Sequence, residues 1–369
     1  GSACAWRLSN AGKKVAVIDK QDFPRNKVCA GWITPVILDE LAIDPEDYAR
    51  NGNVLQPIRS FRTGLVGGSA RITRYDETVS YGIRRIEFDD YLLGRSGADL
   101  HLGQRLKKFD YENGRWRVND ALTAPLLIGA GGHFCPVARR LGAQPGRNEV
   151  PITAQEAEFL LEGDDLRDCK VAGETPELYF CEDLKGYGWA FRKGDYLNVG
   201  LGREGNHDLS KHVAAFCRWL ADLGRIPADI PERFQGHAYL LYRQRQPRTL
   251  VDDGVMLIGD AAGLAYPQSG EGIRPAIESG LLAAQTALEA GERFDKAALQ
   301  PYTSAIYQRF GEQRQAGGAE QLTPLRQWLG RHLLNTGWFT RRVVLDQWFL
   351  HRDQGPIETP SQLQTSDNG

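Results

Sequence analysis

The sequence contains few cysteines, one methionine and no surplus of charge. Its six cysteines are scattered without a C-x-x-C pair, which fits reduced thiols and excludes a disulfide framework or a cysteine-based zinc site. With 45 basic and 47 acidic residues, the formal net charge is −2. A nucleic-acid-binding protein would need a basic surplus, so we expect no nucleic-acid partner.

Long apolar runs and ligand-spaced histidines are also absent. No stretch approaches the ~20 apolar residues that a membrane-spanning helix needs. We therefore expect no secretory leader and a cytoplasmic protein. The histidines show no metal-ligand spacing, and we expect no metal. The 369 residues are 41% hydrophobic, which indicates a globular chain of two or three domains. A cofactor is therefore expected to carry the chemistry.

The first nineteen residues, GSACAWRLSNAGKKVAVID, predict a helix over 3–9 and a strand over 14–19. This order matches the second half of a dinucleotide-binding βαβ unit, in which the third glycine of G-x-G-x-x-G opens the helix and an acid holds the ribose. Gly1 would be that glycine and Asp19 that acid. The first strand and the first two glycines are then expected to be missing from this chain. The alternative is an ordinary helix–turn–strand.

A second segment, GVMLIGDAAGLAYPQSGEGIRPAIESG (254–280), predicts a buried strand over 255–258. Gly259 and Asp260 follow at its carboxyl end, where open α/β sheets bind ligands, and Asp260 can accept hydrogen bonds from ribityl hydroxyls. The loop through Gly270 and Gly272 opens a helix at Ile273. A helix amino terminus favours an anion such as the N1–C2=O edge of a reduced flavin. The alternative is a strand–loop–helix with a capping aspartate.

GDAAGLAYPQSGEGI (259–273) resembles the second FAD motif of glutathione-reductase-like, hydroxylase-type flavoproteins, and in detail the geranylgeranyl reductase family. Aromatic hydroxylases usually carry His and Asn where this chain has Gly263 and Arg274. Four further segments resemble family motifs in the same order: DFPRNKVCAGWIT (22–34), YGIRRIEFDDYL (81–92), LLIGAGGHFCPVARR (126–140) and GYGWAFRKGDYLNVGLG (186–202).

The resemblance implies an α/β fold with a Rossmann-like FAD-binding domain, a mixed β-sheet substrate domain and C-terminal helices. The FAD-binding domain would comprise 1–150, with a substrate-side excursion near 56–80, and 245–315. The substrate domain would be 151–244. Helices are expected over 316–354, and the composition of 355–369 predicts a disordered tail.

The resemblance also implies cofactor-binding residues. Arg85 matches the family's Arg-x-x-Phe-Asp motif and could offer a forked donor to the FAD pyrophosphate or ribose; the alternative is a helix ion pair with Asp89. Gly129 and Gly131 would let the backbone approach FAD closely. The family's usual Asp is Gly131 here, which puts hydroxylase-like use of NADPH in doubt.

Three residues of the segment 22–34 carry further expectations. Cys29 matches the family cysteine that faces the flavin or the substrate, and we treat it as a candidate catalytic residue. Its alternative is a small buried side chain. Arg25 and Lys27 would contact the adenine ribose, or else be solvated.

Alternating aromatics predict a strand with Tyr187, Trp189 and Phe191 on one face. Such a wall suits a long apolar ligand, and the alternative is an aromatic core stripe. Tyr187 is the second candidate proton donor beside Cys29. In 325–350, Trp, Phe and Leu recur near helical spacing with Arg between them. This segment is read either as a helix on the cytoplasmic surface of a membrane or as helices packed on the FAD domain.

These features lead to one expected function and two alternatives. The resemblance implies reduction of carbon–carbon double bonds in an isoprenoid chain by hydride from reduced FAD, with NAD(P)H or another reductant as the electron source. The first alternative is an FAD-dependent monooxygenase or halogenase acting on an aromatic or lipid substrate. The second is a flavin-less protein that binds apolar ligands.

Overall fold

The computed structural model describes residues 1–145, 149, 151–205, 208–230, 233–242, 247–312 and 323–357. The strands are β1 (Ala16–Ile18), β2 (Trp32–Ile33), β3 (Leu55–Ile58), β4 (Ser60–Leu65), β5 (Ala70–Arg74), β6 (Ser80–Ile83), β7 (Asp99–His101), β8 (Phe109–Glu112), β9 (Arg115–Val118), β10 (Leu122–Ala124), β11 (Leu127–Gly129), β12 (Ile152–Leu160), β13 (Glu177–Phe180), β14 (Gly186–Lys193), β15 (Tyr196–Glu204), β16 (Gln235–Tyr239), β17 (Val251–Asp252) and β18 (Val255–Leu257).

The helices are α1 (Ser2–Asn10), α2 (Pro35–Glu40), α3 (Pro45–Arg50), α4 (Arg85–Gly94), α5 (Pro136–Arg140), α6 (Gly163–Asp168), α7 (Leu209–Asp222), α8 (Ile273–Glu289), α9 (Lys296–Phe310), α10 (Pro324–Leu334) and α11 (Gly337–Phe339). A 3-10 turn covers Gly259–Ala261, and a π-helical segment covers Thr340–Phe349.

Short parallel pairings surround the packed helices α1 and α8. β1 pairs with β7 in parallel, and β11 pairs in parallel with β18, which also pairs antiparallel with β17. Met256 and Leu257 of β18 are completely buried together with Ala283 of α8 and Tyr302 of α9. The strand predicted over 255–258 is therefore buried against helices, as parallel strands are.

A seven-stranded mixed sheet forms the other large layer, in the order β16-β12-β15-β14-β13-β4-β5. Its neighbours pair antiparallel except β13 and β4, which are parallel. Helix α7 covers one face, where Phe216 and Leu220 pack with Val199 and Leu201. The opposite face carries alternate side chains of the same strands and contacts β2 and the C-terminal helices. The expected α/β class with a mixed sheet and C-terminal helices is confirmed.

The C-terminal segment returns across the molecule. Val344, Leu345 and Phe349 of the π-helical segment are completely buried against the seven-stranded sheet. Of the tail 355–369, the structure describes only 355–357, in which Ile357 is buried and donates its N–H to Glu40; the remainder lies outside the described residues. Within the described part, no helix combines the length and apolar character that crossing a bilayer requires.

Candidate functional site

A cluster of basic and acidic side chains forms where the loop after β1 meets helix α4. Arg85 begins α4 and donates from Nε and Nη2 to the two carboxylate oxygens of Asp89, at 2.9 and 2.8 Å. Arg25 lies 3.4 Å from the same carboxylate. Burial opposes ionisation of Asp89, but Arg85, Lys27 and Arg25 hold the pKa of that carboxyl below its ordinary value. The ion pair between Arg85 and Asp89 therefore forms, and it fixes the guanidinium; contact with a cofactor stays a prediction.

Asp260 joins this cluster from the other half of the fold. Its carboxylate follows β18 in the 3-10 turn and lies 3.8 Å from Lys27 Nζ and 3.4 Å from His237 Nε2. Burial would raise the pKa of Asp260, yet Lys27 and His237 lower it strongly. Gly259 adopts φ +55°, a left-handed conformation that favours glycine, and its N–H donates to Ser279. Asp260 is therefore held ionised beside two basic groups.

The amino end of α8 lies against Asp260. The helix begins at Ile273 after the N-cap Gly272, and the Glu271 side chain accepts the N–H of Arg274 in its first turn at 3.0 Å. A Cβ placed on Gly272 would lie 3.2 Å from Asp260 Oδ1, and one on Gly270 would collide with the hydroxyl of Tyr239. The loop backbone at 270–272 thus approaches both side chains more closely than other residues would allow.

Two predicted cofactor glycines lie where α1 and β11 meet. Gly1 is the N-cap of α1, which no side chain caps, and a Cβ on Gly1 would be 3.5 Å from Ala130 Cβ. Gly129 ends β11, and a Cβ there would collide with Leu257 and Val137. Gly129 therefore allows β11 to pack closely against Leu257 and Val137. Its contact with a cofactor stays a prediction.

Gly131 and Asp19 lie at the edges of this region. A Cβ on Gly131 would be 3.2 Å from Cys135 Sγ. Asp19 follows β1, and its side chain accepts the N–H of Gln21 at 2.9 Å. Asp19 makes no ion pair with any residue in the described ranges, so the structure does not bring it into the basic cluster.

The donor set of the cluster fits FAD. Arg25, Lys27 and Arg85 outnumber the carboxylates Asp89 and Asp260, and a surplus of cations suits a pyrophosphate. The amino end of α1, which no side chain caps, offers backbone N–H groups, and both α1 and α8 direct the positive end of the helix dipole to this region. Arg25, Lys27, Arg85 and the first turn of α1 would hold the phosphates and ribose. Asp260 would accept from hydroxyls, and Gly272 and Ile273 would face the flavin ring.

Cys29 connects this cluster to the seven-stranded sheet. Its sulfur accepts the N–H of Gly31 at 3.4 Å. Its carbonyl accepts from Asn198 Nδ2 at 3.2 Å. Cys29 is half-buried and therefore lies at the junction between the candidate cofactor residues and the sheet face described next.

The three predicted aromatics share one face of β14. Phe191 stacks on Trp32 with ring centroids 5.2 Å apart, and Tyr187 packs edge-on against Phe349 at 5.3 Å. Trp189 and Phe191 are 5% and 1% exposed, so these two rings form core as well as a wall. The Tyr187 hydroxyl donates to the Ser269 carbonyl at 2.5 Å, and burial raises its pKa well above the ordinary value.

A group of buried polar residues on the same face escaped the sequence interpretation. Glu156 and Glu158 of β12 face Asn198 of β15, whose Nδ2 lies 3.0 and 3.2 Å from their carboxylates. Glu158 also forms ion pairs with Lys193 and with Arg84. The signal was present in the sequence, because acids two residues apart in the strand QEAEF must point to the same face.

Comparison with solved structures shows which fold the chain has. No family model matches the chain. A geranylgeranyl bacteriochlorophyll reductase-like protein from Thermoplasma acidophilum superimposes over 100% of this chain and 93% of its own, with a TM-score of 0.69 and 21% identity. A probable FAD-dependent monooxygenase from Pseudomonas aeruginosa covers 90% of this chain and 96% of its own, with a TM-score of 0.65 and 17% identity. The fold is that of FAD-dependent oxidoreductases.

Relatives found by sequence include two named reductases. The chain is 28% identical over 311 residues to the geranylgeranyl diphosphate reductase of Rhodobacter capsulatus, covering 78% of this chain and 72% of the relative. It is 28% identical over 307 residues to the digeranylgeranylglycerophospholipid reductase of Methanococcus aeolicus, covering 79% and 74%. The expected resemblance to the geranylgeranyl reductase family is therefore confirmed, together with the class of enzyme, an FAD-dependent oxidoreductase.

Proposed function

We propose that the protein reduces carbon–carbon double bonds of an isoprenoid chain. The observation that carries this proposal is the position of Cys29, whose carbonyl accepts from Asn198, the residue paired with Phe191 on the sheet that also carries Tyr187. A flavin held beside Cys29 would thus adjoin an apolar, aromatic surface, which suits a long hydrocarbon chain. The two named reductases among the relatives support the same substrate class.

FAD, when bound and reduced, would supply hydride, with NAD(P)H or another reductant restoring it. The chain itself would bind the cofactor with Arg25, Lys27, Arg85 and Asp260, and hold the isoprenoid against Trp189 and its neighbours. Tyr187 is a weak candidate for proton donor, because its hydroxyl is already hydrogen-bonded to Ser269 and its pKa is raised by burial. Cys29 stays a candidate for contact with the flavin or substrate.

The test is a single turnover without oxygen. The FAD-loaded full-length protein is reduced with dithionite, mixed with a geranylgeranyl compound, and followed by the return of the oxidised flavin spectrum. The proposal expects reoxidation by the alkene and a product heavier by two hydrogens. Reoxidation only after air enters, with an oxygen atom incorporated into an aromatic or lipid substrate, would replace it with the monooxygenase alternative. A protein that binds the compound but holds no flavin would support the flavin-less alternative.

We also propose that the C-terminal helices contact an anionic membrane surface. Four large apolar side chains are exposed there: Leu325 by 72%, Trp328 by 52%, Leu329 by 49% and Trp338 by 71%. The sequence from 323 to 345 contains no acidic residue and includes Arg at 326, 331, 341 and 342. Exposed aromatic and aliphatic side chains flanked by arginine suit a bilayer interface.

Vesicle co-sedimentation tests this contact. Replacing Trp328 and Trp338 by Ser should reduce binding to vesicles that contain anionic phospholipid at least about tenfold, because each Trp contributes interfacial burial. Leu223→Ser is the matched control, since Leu223 is 54% exposed at the carboxyl end of α7, away from the C-terminal helices in the sequence. Equal sedimentation of the double variant and the wild type would contradict the proposal.

A further inference from the structure

Glu156 is a buried carboxyl without a cationic partner at the candidate site. It is 7% exposed and forms no ion pair with any residue that the structure describes. Its neighbour on the same strand face, Glu158, pairs with Lys193 and Arg84. An unpaired carboxylate is costly to bury. The surroundings therefore favour the protonated form of Glu156 and the ionised form of Glu158.

The hydrogen bonds of Asn198 sharpen this difference. Trp189 Nε1 donates to Asn198 Oδ1 at 2.7 Å, which fixes the amide so that Nδ2 faces the acids. Nδ2 has two hydrogens, yet it lies within 3.0–3.2 Å of three acceptors, on Glu156, Glu158 and the Cys29 carbonyl. Glu158 has cationic donors of its own in Lys193 and Arg84, so Nδ2 is left for Glu156 and the Cys29 carbonyl. Glu156 thus has a neutral amide as its partner and no cation, which favours its protonated, uncharged form.

We propose that Glu156 donates the proton that completes reduction of the double bond, with Asn198 as the residue that positions it. This inference rests on the proposed function. The π bond of the alkene breaks, one carbon accepts hydride from the flavin-type donor, and the other forms a C–H bond with the proton of the Glu156 carboxyl. The O–H bond electrons stay on Glu156, the alkene gains two electrons, and the hydride donor is oxidised. Water then reprotonates the carboxylate.

The electrostatic surroundings support this assignment. Burial raises the pKa of Glu156 to about 7, against the opposing effects of Lys193, the Cys29 backbone and Asn198. Burial acts in the same direction on Glu158, but Lys193 and Arg84 hold the pKa of that carboxyl below its ordinary value. Of the two acids, only Glu156 thus carries a proton near neutral pH. An acid whose pKa lies near the working pH is the efficient proton donor.

The test compares Glu156→Gln with the wild type in the anaerobic single turnover. Glutamine keeps the shape and can hydrogen-bond but has no acidic proton, so we expect reoxidation by the alkene to slow about a hundredfold or more. FAD affinity and reduction by dithionite should stay unchanged, and Glu156→Asp should restore part of the rate. Glu177→Gln is the control, because Glu177 is an equally buried acid of the same sheet whose partner Arg225 lies towards α7.

A second readout does not depend on turnover. Infrared difference spectra should show a protonated carboxyl band that titrates near pH 7, is absent from Glu156→Gln and persists in Glu177→Gln. A carboxylate ionised across the neutral range, or an unchanged reoxidation rate in Glu156→Gln, would overturn the proposal for Glu156 alone. A wild-type flavin that no isoprenoid alkene reoxidises would instead refute the proposed function, and proton donation to an alkene with it.

Discussion

Replacing Glu278 by Gln should loosen the helix that presents the candidate flavin-binding loop. Glu278 is completely buried in α8. It accepts from Arg274 Nε at 2.7 Å and from Arg309 Nε at 2.8 Å. Arg274 and Arg309 also donate to the carbonyls of Gln354 and Gly355, at 2.8 and 2.9 Å. One carboxylate therefore ties together α8, α9 and the C-terminal segment.

The size of the effect follows from burial. Removing one partner of a buried ion pair costs about 3–5 kcal/mol, since the remaining charge is left uncompensated. Glutamine retains one acceptor oxygen but turns an N–H₂ group toward an arginine, so we expect a loss near the lower limit, about 3 kcal/mol. As ~1.4 kcal/mol corresponds to a factor of ten, local opening of these helices should become roughly a hundredfold more frequent.

Hydrogen exchange followed by mass spectrometry measures this directly. Peptides from α8, α9 and the segment 350–357 should exchange about a hundredfold faster in Glu278→Gln, whereas peptides from β14 should not change. Glu289→Gln is the control, because Glu289 is exposed on the same helix and surface substitutions change stability little. Exchange within about threefold of the wild type in α8 would refute the reasoning that the carboxylate carries this contact.

Three further predictions concern residues of the candidate site, two of them through cofactor binding and one through stability. Asp260→Asn should weaken FAD binding about tenfold or more, because hydrogen bonds to charged groups contribute ~1.5–3 kcal/mol; an unchanged Kd by flavin fluorescence would argue against contact. The pKa of Asp89 in the folded protein lies below its ordinary value of 3.8. The ionised carboxylate therefore stabilises the folded protein fully above pH 3.8, and this contribution is lost as the pH falls below that value. The free energy of unfolding, measured against pH in acid, should show this loss in the wild type but not in Asp89→Asn. Gly272→Ala should lower FAD affinity several-fold, since its Cβ would crowd Asp260, whereas Gly94→Ala, in open space, should not; equal affinities would place the cofactor elsewhere.

The sequence correctly predicted features that depend only on the spacing of residues within one segment. The helix and strand of residues 1–19, the strand before Gly259 and the helix from Ile273 all lie close to their expected positions. Alternation correctly predicted that Tyr187 and Phe191 share a face. These features depend on spacing within one segment, which periodicity reports.

Contacts between distant segments could not be predicted in the same way. His237 reaches Asp260 only because β16 is the edge strand beside β12, and no spacing in the sequence indicates that pairing. Asn198 lies within the quoted segment 186–202, but its role became apparent only when β12 placed Glu158 opposite it and Glu156 within hydrogen-bond distance of its amide. Whether Trp189 forms a wall or a core was likewise open, because periodicity gives the face and not what covers it.

The structure also changes the meaning of Arg274. The sequence interpretation used this residue as a departure from the hydroxylase pattern, at a position next to the flavin-binding loop. Its side chain instead points into the protein, to Glu278 and the carbonyls at 354 and 355. The identity of residue 274 therefore gives no direct evidence for or against a hydroxylase reaction. The C-terminal segment that Arg274 holds at 354 and 355 also places Phe349 against Tyr187. One buried ion network therefore connects the start of α8 with the residue that packs on the proposed substrate surface. Loosening this network should affect both the candidate cofactor loop and that surface.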